Sequence, residues 1–334
     1  RRHIERQRFE RRHIERQRYA MKALVTGGAG FIGSHLVRAL LEDGCKVVVL
    51  DDLSSGTREN LAEVEGKVKL LEASVTDLEV CRQACQGVKL VFHQAAIPSV
   101  EKSVSDPLAS HAANATGTLN MLLAAKEAGA SRFVAAASCS AYGDQEGLPH
   151  VETMAPSPMS PYAAQKLLLE IYCEQFHKLH GLETFALRYF NIFGPRQDPL
   201  SPYGAVIPKF ISALLGDEAP IIHGDGEQSR DFTYVENVVR ANLLAAWAPA
   251  KAAGRVCNIG CGERYSVSRL LEILERITGV HRTPLREPAR AGDVKHSLGD
   301  ISRARELLGY DVTVGFEEGL ERTVAYYRAQ LGQK

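Results

Sequence analysis

Tyr162 and Lys166 stand four positions apart in the segment SPYAAQK. This segment predicts the start of a helix, because Ser160 is a typical N-cap residue and Pro161 suits the first helical position. The two side chains then share one face of the helix. A tyrosine, with a pKa of about 10, is a weak base at neutral pH, but a nearby ammonium group favours the phenolate. Such a pair can move a proton to and from a hydroxyl group, although the same spacing also occurs on ordinary helix surfaces.

A serine-rich segment, ASCSAYG, follows a strand predicted over residues 132–137. This strand would deliver Ser138 or Ser140 to the carboxyl edge of a sheet, beside Tyr162. A hydroxyl group there can share the proton of a substrate hydroxyl. Ser140 and Cys139 also suit an ordinary turn, and we interpret Cys139 in that way.

Three glycines separate the first predicted strand from the first predicted helix in VTGGAGFIG. Gly27 permits the tight turn, and Gly30 lets a pyrophosphate approach the N–H groups at the helix N-terminus. Gly33 lets the helix lie close to the sheet. The pattern predicts a dinucleotide site, with a glycine-rich turn that binds no ligand as the alternative.

A carboxylate stands where the second predicted strand ends. Asp51 follows Gly27 by 24 positions, a spacing at which an acid accepts hydrogen bonds from both hydroxyls of the adenosine ribose. It would also repel a 2′-phosphate, so NAD is favoured over NADP as the cofactor. Asp52 is interpreted as a solvated turn residue.

Short apolar runs alternate with helical patterns from Met21 onward. The runs predict strands over residues 22–26, 46–50, 68–71, 88–93, 132–137 and 183–188, and the first helix is expected over residues 31–42. Strands that are apolar on both faces, with helices between them, predict an α/β fold with a doubly wound parallel sheet.

The chain divides into three predicted parts. Residues 1–20 are a basic tandem repeat that we interpret as an appendage and not as native sequence. Residues 21–190 are expected to form the NAD-binding domain, to which residues from about 236 to 260 return. Residues 191–334, where the regular alternation weakens, are expected to form mainly a smaller substrate-binding lobe over the carboxyl edge of the sheet.

The composition excludes several classes of protein. Forty basic and forty acidic residues leave no global field that would attract nucleic acid or an anionic membrane. The seven cysteines lack the spacing of a zinc site, so no metal is expected. We find neither a membrane-spanning apolar run nor a signal-peptide pattern, and we expect a cytoplasmic protein.

Four motifs together resemble those of the extended short-chain dehydrogenase/reductase family of sugar-nucleotide epimerases and dehydratases. They are TGGAGFIG at 26–33, SCSAYGD at 138–144, YAAQK at 162–166 and LRYFNIFGPRQDP at 187–199. The resemblance extends from Met21 nearly to the end of the chain. It implies a Rossmann fold, bound NAD, a UDP-sugar substrate and Ser138, Tyr162 and Lys166 as the catalytic triad. It also implies a homodimer built from the helices that carry Asn114 and Tyr162.

The same resemblance implies contact residues for both ligands. The cofactor contacts are Gly27, Gly30, Phe31, Ile32, Gly33, Asp51, Ser55, Gly56, Val75, Gln94, Ala95, Ala96, Asn114, Tyr162, Lys166 and Tyr189. The substrate contacts are Ser99, Ser138, Ser140, Asn191, Gln197, Ala205, Val206, Arg230, Arg290, Asp293 and Ser297. The two arginines offer forked donors suited to a diphosphate, although either alone would more often be a surface ion-pair partner. Where many relatives carry an aspartate that contacts adenine, this chain has Ser74.

The serine motif indicates the reaction. Dehydratases and decarboxylases of the family carry an acidic residue there, whereas this chain has Cys139 and Ser140. A UDP-hexose 4-epimerase that works through a 4-keto sugar is therefore favoured. A UDP-glucuronate or UDP-pentose epimerase, a decarboxylase and a dehydratase stay open, as does an NAD-sensing protein without catalysis, which would usually lack the Tyr/Lys pair.

The sugar specificity is expected to depend on position 297. In the resembling epimerases a tyrosine at this position is associated with restriction to plain hexoses, whereas a small residue leaves room for an N-acetyl group. Ser297, together with Ser99, Gln197 and Ala205, matches the subgroup that prefers N-acetylated sugars. Interconversion of UDP-GlcNAc and UDP-GalNAc is thus favoured. The alternative is that Ser297 simply ends a surface strand.

Overall fold

One parallel sheet of seven strands organises the computed structural model, which describes residues 21–199, 205–289 and 294–332. Its strands are β1 (Lys22–Thr26), β2 (Lys46–Asp51), β3 (Val68–Glu72), β4 (Leu90–His93), β5 (Arg132–Ser138), β6 (Glu183–Tyr189) and β11 (Arg255–Ile259). Their order across the sheet is β11-β6-β5-β4-β1-β2-β3. All six predicted strands are present, and the predicted fold class is confirmed.

The described helices lie between and after these strands in the sequence. They are α1 (Phe31–Glu42), α2 (Leu78–Cys85), α3 (Val100–Ser105), α4 (Pro107–His111), α5 (Gly117–Glu127), α6 (Pro161–His180), α7 (Val206–Leu215), α8 (Val235–Trp247), α9 (Val267–Thr278), α10 (Ser302–Leu308) and α11 (Phe316–Gly332). A π-helical turn, Ala112–Thr116, joins α4 to α5, and 3₁₀ turns cover Arg58–Val64, Cys139–Tyr142 and Ala250–Ala252. None of the helices in the described ranges is long and apolar enough to cross a membrane.

Short strands build the region beyond β6. They are β7 (Ile192–Phe193), β8 (Ile221–His223), β9 (Ser229–Arg230), β10 (Thr233–Tyr234), β12 (Tyr265–Ser266) and β13 (Leu285–Glu287). These strands form three two-stranded pairs, β10 with β7, β12 with β9 and β13 with β8.

Both faces of the central sheet are buried, because neighbouring residues on one strand point to opposite sides. Leu24 packs in a core with residues of α2, α5 and α6, whereas the next residue, Val25, packs in a second core with α1 and α8. This second core continues into α9 and α11, which follow the last strand of the sheet. The sheet and the C-terminal elements therefore share one apolar interior.

The chain leaves the sheet after β6 and returns to it at β11. Strand β11 pairs with β6 in parallel, with Arg255 opposite Phe185 and Ile259 opposite Tyr189. The segment expected to return to the sheet contains α8 and β11. The division into an NAD-binding domain and a lobe stays a prediction.

Candidate active site

The three residues expected to react meet at the carboxyl end of β5. The side chain of Ser160 caps α6 by accepting a hydrogen bond from Ala163 N at 3.1 Å, as predicted. Lys166 Nζ donates to the carbonyl oxygen of Ala136 at 2.8 Å, and Tyr162 is hydrogen-bonded to Ser138. Strand β5 and helix α6 thus supply the whole constellation.

Burial dominates the electrostatics of this constellation. It raises the pKa of Tyr162 to about 12, and the hydrogen bond with Ser138 offsets only part of that rise. Burial also lowers the pKa of Lys166 to about 8. The expected shift of the tyrosine toward the phenolate is therefore not produced by the side chains alone, because desolvation outweighs them.

Asn114 holds the catalytic helix and the loop after β4 together. Its Oδ1 accepts from Ile97 N at 2.7 Å, and its Nδ2 donates to Gln165 Oε1 at 2.9 Å. Ser110 Oγ donates to the same Gln165 oxygen at 2.7 Å. Asn114 lies in the π-helical turn that joins α4 to α5. Our sequence reasoning missed Gln165, although it stands inside the YAAQK motif.

The glycine turn forms a cradle that only glycine fits. Gly27 has a φ of +66°, and a Cβ there would lie 2.8 Å from Ala95 N. A Cβ at Gly33 would lie 2.0 Å from the carbonyl oxygen of Gly27. Gly30 is the N-cap residue of α1, with no side-chain cap of its own. Because no side chain caps α1, its first amides stay open to an anion. The close approaches at Gly27 and Gly33 keep side chains away, so this part of the chain fits the pyrophosphate of NAD.

Asp51 joins the end of β2 to the glycine turn. Its Oδ2 accepts from Ala29 N at 2.8 Å and its Oδ1 from Leu53 N at 2.9 Å. Burial raises the pKa of Asp51, and the charge of Asp52 adds to this effect. Each carboxylate oxygen keeps a lone pair for a ribose hydroxyl.

The loop after Asp51 packs against the same turn. A Cβ at Gly56 would lie 2.7 Å from the carbonyl carbon of Ala29, whereas Ser55 is exposed. Phe31 and Ile32, at the start of α1, are partly buried.

Three side chains, one just after β4, one from β6 and one from α8, form a closed ring of hydrogen bonds. Tyr189 Oη donates to Gln94 Oε1 at 3.1 Å and accepts from Asn242 Nδ2 at 2.7 Å. Gln94 Nε2 donates to Asn242 Oδ1 at 3.1 Å. Asn242 is fully buried, and nothing in the motifs identified it. Ala95 and Ala96 follow Gln94 and are partly buried.

Val75 is buried against α5 beyond the end of β3. Its carbonyl oxygen accepts from Asn120 Nδ2 at 3.1 Å. Ser74, just before it, accepts a hydrogen bond from Thr76 Oγ1 at 3.1 Å.

Ser297 is brought beside the serine motif. Its side-chain oxygen is buried without a hydrogen-bond partner in the described part of the chain, close to the Cys139 thiol, and burial raises the pKa of that thiol to about 11. Ser297 is 7% exposed, and its backbone pairs with Ser229 at 3.0 Å and with Asp231 at 2.9 Å. Ser297 itself is buried and lies in no strand, so it does not end a surface strand, and its contact with the sugar stays a prediction.

Three other residues expected at the sugar make hydrogen bonds within the described part of the chain. Asn191 has a φ of +36° and its Nδ2 donates to the carbonyl oxygen of Asp231 at 3.3 Å. Gln197 Nε2 donates to Ile192 O at 3.2 Å, while its buried Oε1 has no hydrogen-bond partner within the described part of the chain. Ser140 Oγ donates to Ser138 Oγ at 2.9 Å.

Three expected contacts stand at helix starts. Ser99 Oγ caps α3 by accepting from Lys102 N at 3.0 Å, and Ala205 and Val206 stand at the start of α7.

Of the two expected arginines, Arg230 lies within the described residues. Arg230 Nη1 donates to the carbonyl oxygens of Ser229 at 3.0 Å and Lys295 at 3.1 Å. Arg290 and Asp293 lie outside the described residues. No cluster of metal-ligating side chains occurs within residues 21–199, 205–289 and 294–332.

A sequence model of the NAD-dependent epimerase/dehydratase family matches residues 23–260. The chain belongs to this family. The predicted resemblance is therefore confirmed, and the expectation of NAD agrees with the description of the family.

Members of this family resemble the chain along nearly its whole length. A UDP-glucose 4-epimerase of Mycolicibacterium smegmatis is 39% identical, covering 92% of this chain and 99% of the relative. The solved UDP-glucose 4-epimerase of Thermotoga maritima with UDP-glucose is 41% identical, with a TM-score of 0.89 over 93% of this chain and 100% of that one. A UDP-N-acetylglucosamine 4-epimerase of Methanobrevibacter ruminantium, solved with UDP-N-acetylmuramic acid, is 40% identical, with a TM-score of 0.89 over 93% of this chain and 99% of that one.

Proposed function

We propose that the chain is a UDP-hexose 4-epimerase that interconverts UDP-GlcNAc and UDP-GalNAc. The observation that carries this proposal is the small side chain of Ser297, buried against Cys139 next to the reacting serine. A small residue there leaves space beside the sugar that a tyrosine would fill. The similarity to a UDP-N-acetylglucosamine 4-epimerase supports the same substrate.

The residues of the chain divide the chemistry among them. The glycine turn and Asp51 would hold NAD, which would supply the hydride-accepting and hydride-donating chemistry for the sugar. As the phenolate, Tyr162 would take the proton of the C4 hydroxyl and later return it, while the Ser138 hydroxyl shares that proton. Lys166, fixed by Ala136 O at 2.8 Å, places a positive charge near the phenol. Asn114 and Gln165 hold the catalytic helix in position.

Epimerisation at C4 requires that the 4-keto sugar turn over between the two hydride transfers. The grip on the substrate must then lie on its nucleotide and not on its sugar. We propose Arg230, at the end of β9, and Asn191, in the turn after β6, for that grip. The neutral Cys139 thiol, with a pKa raised to about 11 by burial, supplies no carboxylate for elimination or decarboxylation.

The test is a substrate panel with a change at position 297. Wild-type protein, Ser297→Tyr and a Ser297→Ala control are assayed on UDP-GlcNAc, UDP-GalNAc, UDP-glucose, UDP-galactose and UDP-glucuronate. A tyrosine would overpack the space beside C2, so the ratio of kcat/KM for UDP-GlcNAc to that for UDP-glucose should fall about tenfold or more. The Ser297→Ala ratio should match that of the wild type.

Two results would contradict the proposal. An unchanged ratio in Ser297→Tyr would show that Ser297 does not limit the sugar. A wild-type protein that converts UDP-glucuronate but no UDP-hexose would assign the chain to another reaction of the family.

A further inference from the structure

Asp231 is a fully buried carboxylate surrounded by hydrogen-bond donors. Its Oδ1 accepts from Cys261 N at 2.8 Å and from Thr233 Oγ1 at 3.4 Å. Its Oδ2 accepts from Gly262 N at 3.1 Å and from Gly299 N at 3.3 Å. Both oxygens are thus used by donors from separate parts of the chain.

These donors connect the carboxylate to the edge of the central sheet. Cys261 and Gly262 follow β11 directly, after Gly260, where a Cβ would lie 2.6 Å from Asp231 Oδ2. Tyr310 Oη in turn donates to the carbonyl oxygen of Gly260 at 2.8 Å. The side chain of Asp231 is therefore anchored where a parallel sheet binds its ligands.

The backbone of the same residue faces the expected substrate contacts. Asp231 N donates to the carbonyl oxygen of Ser297 at 2.9 Å, and its carbonyl oxygen accepts from Asn191 Nδ2 at 3.3 Å. Arg230 is the preceding residue. One residue thus contacts or adjoins three groups expected to hold the sugar nucleotide.

Burial of the ionised Asp231 carboxylate lowers the stability of the folded chain. Burial raises the pKa of Asp231 to about 6, and the hydrogen bonds from Cys261, Gly299 and Gly262 offset only part of that rise. The ionised form is therefore less favourable in the folded chain than in water. Such perturbed carboxyl groups next to a cleft are typical of functional sites.

We propose that Asp231 is a positioning residue for substrate binding, which locks Arg230, Asn191 and Ser297 against the carboxyl edge of β11 without touching the substrate itself. This inference rests on the proposed function, because it takes these three residues as contacts of a UDP-sugar. It predicts that replacing Asp231 weakens the binding of UDP and the UDP-sugar. Binding of NAD, which depends on the glycine turn, should not change.

The decisive variant is Asp231→Asn. It keeps the shape of the side chain but sets an NH₂ group against backbone N–H donors, so one set of hydrogen bonds is lost. The dissociation constant of UDP, measured by calorimetry on the NAD-loaded protein, should rise about tenfold or more. The KM for the UDP-hexose should rise in parallel, whereas NAD content and kcat should change little.

Asn237 offers a matched control. It is also fully buried, its Oδ1 accepts from Thr313 N at 2.9 Å and its Nδ2 donates to Val314 O at 2.8 Å. It ties α8 to the segment before α11 without contact to an expected ligand residue. Asn237→Ala should lower Tm but leave the affinity for UDP unchanged.

A second variant covers the case in which Asp231→Asn does not fold. Gly260→Ala leaves Asp231 in place but crowds its carboxylate, and it should also weaken UDP binding while NAD stays bound. Unchanged UDP affinity in Asp231→Asn or in Gly260→Ala would overturn the inference, as would an equal loss of affinity in Asn237→Ala. Absence of UDP binding by the wild type would overturn the proposed function and the inference with it.

Discussion

At the scale of single residues, Tyr162 is both the proposed acid–base group and a buried side chain with a raised pKa. Its pKa of about 12 means that the phenol carries its proton at neutral pH in the protein alone. The proposed role of Tyr162 as a base therefore requires other groups to favour its phenolate. Charged groups can favour the phenolate only if they lie close to the Tyr162 oxygen, whose position α6 and β5 determine.

Replacing Tyr162 by phenylalanine should separate catalysis from cofactor binding. We expect kcat to fall about a hundredfold or more, because a positioned acid–base group is removed. The NAD released on denaturation should equal that of the wild type, since the glycine turn and Asp51 are unchanged. Tyr172→Phe, on the same helix, is the control and should keep full activity. Near-normal turnover in Tyr162→Phe would contradict the mechanism.

Asp51 should set the choice of dinucleotide. Its buried carboxylate would repel a 2′-phosphate, so stripped protein should bind NAD far more tightly than NADP. Asp51→Asn should narrow that difference, and Asp52→Asn, at an exposed neighbouring position, should leave it as it is. Fluorescence titration of both dinucleotides measures the effect. Equal affinities for the wild type would count against the assignment.

Asp231 should make stability depend on pH in an unusual direction. Its pKa is raised from 3.8 to about 6 in the folded chain, so its contribution is fully present below pH 3.8 and is lost as the pH rises through 6. The free energy of unfolding of the wild type, relative to Asp231→Asn, should therefore fall by about 2 to 3 kcal/mol between pH 4 and pH 7. Urea denaturation at both pH values measures it. A difference that rises with pH would contradict the raised pKa.

At the scale of elements, the contact between α1 and the first turn is the tightest constraint on the cofactor site. A Cβ at Gly33 would lie 2.0 Å from a backbone oxygen, which cannot move without opening the turn. Gly33→Ala should therefore lower Tm and abolish retention of NAD. Gly315→Ala, where a Cβ meets nothing within 4 Å, is the control. Full NAD content in Gly33→Ala would show that the turn adapts.

Much of this architecture follows from local signals in the sequence. Apolar runs predicted all six strands that precede the lobe, and Ser160 with Pro161 predicted the start of α6. The π-helical turn around Asn114 had no such signal, because its partners, Ile97 and Gln165, lie 17 and 51 positions away in sequence. The buried role of Asp231 was missed for the same reason, since its donors extend from Thr233 to Gly299.

At the scale of the whole molecule, the helices near the proposed catalytic residues carry solvent-exposed apolar side chains. Val104 is 64% exposed on α3, Leu108 is 83% exposed on α4 and Ile171 is 45% exposed on α6. Apolar side chains exposed together on neighbouring helices indicate a protein–protein contact. A second copy of the chain is the partner that the resemblance implies.

A charged substitution on this surface tests whether the protein forms the proposed homodimer. Leu108→Asp should shift the protein from dimer to monomer in sedimentation experiments, because a carboxylate would be buried without a partner. Leu285→Asp places the same charge on an apolar residue that is 58% exposed on β13, and it should leave the dimer intact. A monomeric wild-type protein would refute the proposed dimer.

The return of the chain to the sheet at β11 affects how such a protein can acquire a new substrate. The elements between β6 and β11 and those after β11 both contribute to the surroundings of Ser297 and Arg230. An exchange with a relative that keeps these two contributions together must therefore also exchange β11, the edge strand of the sheet. A sugar specificity acquired in this way would bring a new sheet edge with it, and that edge would have to pair with the resident β6.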